Sequence, residues 1–144
     1  MKILILLICL VNVPLYAASI RNSSHGIVFD TDTQLMWQDE NITATDDWIV
    51  AISVCRNSTL GGFNDWRLPN INELLSLADY SKFNPAHKTI GFQTGNLSGN
   101  YWSSTSDAEE QDYAWELEFN SGTPFTVIKK PGTKQYYVRC VRGG

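Results

Sequence analysis

Reactive side chains are sparse in this chain, and their spacing limits the chemistry open to it. His25 and His87 stand far apart, and neither accompanies a serine or cysteine in a nucleophile motif. The hydroxyl run Ser103-Ser104-Thr105-Ser106 follows Tyr101-Trp102 with no base nearby in sequence, so it reads as a strand end or turn. Asp30 and Asp32 form an Asp-x-Asp pair of the kind a hard cation accepts. Turn aspartates that bond their own backbone give the same pattern, and that reading is preferred. No catalytic residue, metal ligand or cofactor is expected. The remaining candidates are basic. Lys129, Lys130, Lys134, Arg139 and Arg142 lie beyond the last acidic residue, Glu118. Lys129, Lys130, Lys134 and Arg142, aided by Tyr137 or its neighbour Tyr136, could meet sulfates or carboxylates, with binding that falls as salt rises. The alternative is a solvated hairpin tip with Arg139 and Arg142 paired to Glu116 or Glu118 across a sheet.

The N-terminus bears on compartment. Lys2, the apolar run Ile3–Val13 and the small residues Ala17-Ala18 form the pattern of a secretory signal peptide over residues 1–18. That run of about 11 residues is well short of the roughly 20 that span a bilayer as a helix. Removing residues 1–18 from the 144 leaves about 126, enough for one domain and its core. A short lead, 19–26, precedes a domain expected over 27–144. Two cysteines remain, Cys55 and Cys140, and an even pair in an exported chain is expected to form a disulfide. A secreted, periplasmic or cell-surface location follows. The net charge of -4 argues against general nucleic-acid binding.

The elements that must position these residues can also be read. Asp46 or Asp47 caps a helix in which Trp48, Ala51, Ile52 and Cys55 keep the spacing of a buried face. Asn70 and Glu73 make a capping box for a second helix, Ile71 to Tyr80, and Pro69 holds the chain extended before it. Residues 81–100 read as a long loop. Tyr113, Trp115, Leu117 and Phe119 alternate with Ala114, Glu116, Glu118 and Asn120, which predicts a strand with one wet face. Phe125–Lys130 and Gln135–Val141 follow as the returning strands of an antiparallel meander. Trp37, Trp66, Trp102 and Trp115 read as core, with Arg67 stacked or paired inside it.

Several blocks together resemble one family. They are Val28-x-Asp30-x-x-Thr33-x-Leu35-Met36-Trp37-Gln38, Cys55, Gly61-Gly62, Asp65-Trp66-Arg67-Leu68-Pro69-Asn70 with Glu73-Leu74, Tyr101-Trp102-Ser103-Ser104-Thr105, Ala114-Trp115, and Val138-Arg139-Cys140-Val141-Arg142. In this order they resemble the Lcl C-terminal domain, a bacterial family named for a collagen-like adhesin. Gln34 stands where the family usually has glycine. The resemblance implies an α+β, C-type-lectin-like fold: two helices on a small twisted antiparallel sheet, with long loops. It also implies a framework role for Trp37, Trp66, Arg67, Pro69, Glu73, Trp102 and Trp115. In the name-giving adhesin the domain is associated with sulfated polysaccharides, so a non-enzymatic recognition domain is expected. None of the Glu-Pro-Asn, Gln-Pro-Asp or Trp-Asn-Asp strings of calcium-dependent lectins occurs. Its expected partner is an anionic polysaccharide or glycosylated surface, the alternative being a structural or protein-interaction module of the cell envelope.

Overall fold

A computed structural model describes residues 20–22, 26–40, 43–45, 47–88, 92, 98–134 and 136–143. The expected signal peptide, His25, Asp46 and much of the long loop lie outside the described residues. Nine strands and two helices follow in chain order among those described: β1 Ile20–Asn22, β2 Ile27–Asp30, β3 Leu35–Gln38, β4 Thr43–Thr45, α1 Trp48–Arg56, α2 Ile71–Ser76, β5 Asn100–Ser106, β6 Tyr113–Glu118, β7 Thr123–Ile128, β8 Tyr136–Val138 and β9 Val141–Arg142. The architecture is α+β.

The strands form two sheets, ordered β1-β2-β3-β9 and β4-β8-β5-β6-β7, where the sequence suggested one. The meander β5-β6-β7 is antiparallel, as expected. Its continuation is not: β8 returns to the far side of β5 and runs parallel to it. The strand expected over Gln135–Val141 therefore breaks. Val138 ends β8, Arg139 and Cys140 cross between sheets, and Val141 joins β3. The break has a physical cause. Arg139 must reach Asp39, and Cys140 must reach Cys55; both pairs are fully or almost fully buried.

The second sheet is covered on both faces. On one, Tyr101, Leu117 and Phe119 pack with Leu74 and Leu77 and with Val28, Trp37 and Val141 from the first sheet. On the other, α1 lays Ala51 and Cys55 on Trp102, Ala114 and Val138. This corrects the expected wet face of β6: Ala114 and Glu116 are buried, whereas Trp115 is only half-buried. Trp37, Trp66 and Trp102 are core.

The local signals hold where they concern caps and turns. Asp47 Oδ1 accepts from Ile49 N at the start of α1. Asn70 and Glu73 form the capping box of α2, with Asn70 Oδ1 accepting from Glu73 N at 2.9 Å and Glu73 Oε2 from Asn70 N at 2.8 Å. Helix α2 stops at Ser76 rather than Tyr80, because the chain beyond Leu77 pairs with 86–88 through Asp79 N to Ala86 O and Lys88 N to Leu77 O. Arg67 lies outside the core, an outcome different from that expected. Its backbone exchanges two hydrogen bonds with Val141, which turns Trp66 inward and sends the guanidinium to Glu73 as a fork, 2.7 Å on each arm. Gln34 sits at φ 60, a left-handed position where a side chain costs about 1–2 kcal/mol and glycine costs far less. That explains why glycine is usual at this turn.

Candidate functional site

The basic turn after β7 is built from its backbone outward. Lys129 N donates to Asp112 O, and Thr133 Oγ1 donates to Lys130 O, closing Lys130-Pro131-Gly132-Thr133 with Gly132 at φ 73. Lys129 is clamped. Its Nζ donates to Ser106 Oγ and Gln111 O, each at 2.6 Å, and stands 4.4 Å from the centroid of a Trp48 ring. A cation so placed is attracted by the ring's quadrupole as well as by its two oxygens. Lys130 lines an open groove of about 360 Å³ with Asp112, Ile128 and Lys129. Lys130 and Lys134 are exposed, and among the described residues neither forms a salt bridge.

The other two predicted residues stand elsewhere. Tyr137 lies in β8 between β4 and β5, half-buried, its ring 5.4 Å from that of Tyr101. Arg142 lies in the first sheet. Its Nε and Nη2 reach Asp65 at 2.6 and 2.9 Å, and its Cζ stands 3.7 Å from the Phe63 ring centroid. The hydrogen bond from Arg142 holds the Asp65 carboxyl below its usual range. The pairing of Arg139 and Arg142 with Glu116 or Glu118 does not occur; their partners are Asp39 and Asp65. Lys130 thus opens the turn that Lys129 and Lys134 flank, while Tyr137 and Arg142 stand apart from it, one in each sheet.

Sequence reasoning missed Glu116. It is 3% exposed, and both carboxylate oxygens accept from Asn100 Nδ2 at 3.0 Å. Burial drives its pKa up to about 7. The Asn100 hydrogen bond opposes this, nearby Glu118 adds to it, and Lys134 opposes it. The alternation had placed it in water, so nothing in the sequence marked it. A raised folded pKa means that protons stabilise the native state. The contribution is complete below the unfolded value near 4.5 and is lost as pH rises through about 7. Glu116→Gln is expected to flatten the stability profile across that window and to raise stability above pH 7 by an amount on the order of 3 kcal/mol. Urea melts at pH 5 and pH 8 check this, and parallel profiles for the two proteins would refute it.

The family profile of the Lcl C-terminal domain matches residues 26–142. The chain belongs to that family. Comparison with curated proteins finds no match. Membership of the Lcl C-terminal domain family suggests a cell-surface module of the adhesin type, and the buried disulfide accords with an extracellular or surface setting. No helix among the described residues is long and apolar enough to cross a membrane.

Other polar residues of this Lcl C-terminal domain serve structure. His87 is buried between Phe92 and Phe119. Burial first, and then the field of Arg139, lowers its pKa to about 3, so the ring stays neutral at physiological pH. Asp30 Oδ1 accepts from Asp32 N at 2.9 Å, the self-bonding turn expected of that pair. Ser103 Oγ donates to Trp115 O, and Thr105 Oγ1 accepts from Ile71 N at the start of α2. Among the described residues no group of three or more His, Cys, Asp or Glu could hold a metal ion.

Proposed function

We propose that this domain is an exported, non-enzymatic recognition module that binds an anionic polysaccharide through the turn carrying Lys130 and Lys134, without calcium. The observation that carries this reading is the clamp on Lys129. One lysine is fixed over Trp48 by two oxygens, and the turn it braces projects two more into solvent. A ligand sulfate or carboxylate would meet point charges on a turn whose backbone is already ordered, so less entropy is lost on binding. The non-catalytic part of the reading is supported by the bonded sulfurs of Cys55 and Cys140 and by the neutral, enclosed ring of His87.

Retention on a heparin column at low ionic strength tests it. The domain is expected to bind and to elute with rising salt, whether or not a calcium chelator is present. The variant Lys130→Ala/Lys134→Ala is expected to pass through or elute at clearly lower salt. Both side chains are exposed, so folding should be unaffected. Lys129 stays unchanged because it braces the turn. Equal retention of the two proteins would remove the lysines from the site.

A further inference from the structure

A second surface lies beside the disulfide, and its chemistry differs from that of the lysine turn. Helix α1 buries Ala51 and Cys55, and three apolar residues of its outward side meet solvent around the exposed Ser53: Ile49 is 59% exposed, Val50 43% and Val54 36%. A surface helix ordinarily carries charged and polar residues there. Ile49, Ile52 and Arg56 stand at i, i+3 and i+7, so they line one edge of the helix. That edge opens into a groove of about 220 Å³ lined by Ile52, Arg56, Trp66, Arg67, Leu68 and Ser104.

The charges around this groove decide what fits it. Arg67 is neutralised by its fork to Glu73, and Arg142, close by through Asp65, is neutralised in the same way. Arg56, at the end of α1, forms no salt bridge among the described residues and is exposed. Among the described residues the groove therefore offers one positive charge outside any salt bridge, an exposed serine at its rim, and an apolar floor of Ile52, Trp66 and Leu68. The floor is rigid: Trp66 Nε1 donates to Leu60 O, Ser104 N to Pro69 O, and Arg67 bonds Val141 through both backbone groups.

We infer that this face docks a protein segment in which an acidic side chain, seated against Arg56 and Ser104, is flanked by aliphatic or aromatic residues that cover Ile49 and Ile52. A polyanionic glycan is the poorer match. It would bring charge after charge to a surface where, among the described residues, Arg56 is the cation without a salt bridge, and would leave Ile49 and Ile52 uncovered. A peptide brings apolar side chains at the required density, and a run of exposed apolar residues with a polar rim marks such interfaces. This inference does not rest on the polysaccharide reading, since it uses a different face and different residues.

Selection from a random dodecapeptide phage library on the immobilised, oxidised domain tests it. Enriched peptides are expected to place Asp or Glu beside Leu, Ile, Val or Phe. Synthetic copies should bind at least tenfold more weakly to Arg56→Glu and to Ile49→Ser. The altered residues are exposed, and thermal melts confirm folding of each variant. Lys130→Ala/Lys134→Ala should bind the same peptides normally. Failure to enrich, or enriched peptides that bind Arg56→Glu undiminished, would overturn the inference. So would heparin displacing the peptide together with loss of heparin retention in Arg56→Glu, because the groove would then belong to the glycan. Loss of heparin binding confined to the lysine variant would leave both assignments standing and separate.

Discussion

Replacing Cys55 and Cys140 together by alanine is expected to lower the stability of the domain by about 4 kcal/mol. The bridge closes a loop of 85 residues, and in the chain-entropy treatment the cost of ordering an uncrosslinked chain grows with the logarithm of that length. Since domains of this size are stable by about 5–15 kcal/mol, the loss would be a large fraction of the total. The bridge also fixes geometry. Cys55 anchors the inner face of α1, and Cys140 sits where the chain leaves β8 for β9. Gln38 N donates to Cys140 O at 2.9 Å, so the same residue joins the first sheet. Three elements meet at one covalent link. Helix α1 carries Trp48, on which Lys129 rests, and Arg56 of the second groove, so both candidate surfaces depend on its position. Urea titration of the oxidised protein and of the double variant measures the difference. A loss below about 1 kcal/mol at equal slopes would show that packing alone holds α1 in register.

What could be read from the sequence was mostly local. Asn70 and Glu73 announce a capping box because both partners lie within one helical turn. Gly61 and Gly62 announce a turn because both take φ above 60, and Cys55 shares a helical stripe with Ala51. The partition of the C-terminal segment is of another kind. Nothing in Tyr136–Arg142 taken alone says that two residues in its middle must leave the sheet. The demand comes from Asp39 and Cys55, about 100 and 85 residues away. The alternation in β6 failed for a related reason. Period two shows that a strand has two faces, but whether a helix covers the second face depends on where α1 docks. The lysine cluster was visible as composition, yet that Lys129 is committed to Ser106 and Gln111 required the fold. Arg56 had the opposite history. It follows a helical stripe legible in the sequence, but the groove it lines forms only where the fold brings Trp66, Leu68 and Ser104 beside it.

Removing either member of the buried Arg139–Asp39 pair alone is expected to cost about 3–5 kcal/mol, whereas removing both should cost much less. Each side chain is 0% exposed, with Arg139 Nη1 3.4 Å from Asp39 Oδ1 and 2.8 Å from Gln38 O. The guanidinium also lies 5.0 Å from the Phe92 ring centroid and 5.8 Å from that of Tyr101. Burial pulls its pKa below the ordinary arginine value, and Tyr101 offsets part of that. Arginine remains charged in proteins, so Asp39→Ala strands a cation in the core without its carboxylate. Arg139→Met takes the guanidinium from the Asp39 carboxylate, which can respond by taking up a proton. The arginine variant should consequently be the milder of the two at low pH, and the aspartate variant should be severe throughout. Asp39→Leu/Arg139→Met replaces both charges by apolar volume and is expected to recover most of the loss. The double-mutant cycle, measured by urea unfolding with the disulfide intact, reports the coupling directly. A coupling near zero would mean that the two groups are held by their other neighbours. The crossing of the chain between its two sheets would then rest on the Cys55–Cys140 bridge and on the strand pairing of Val141.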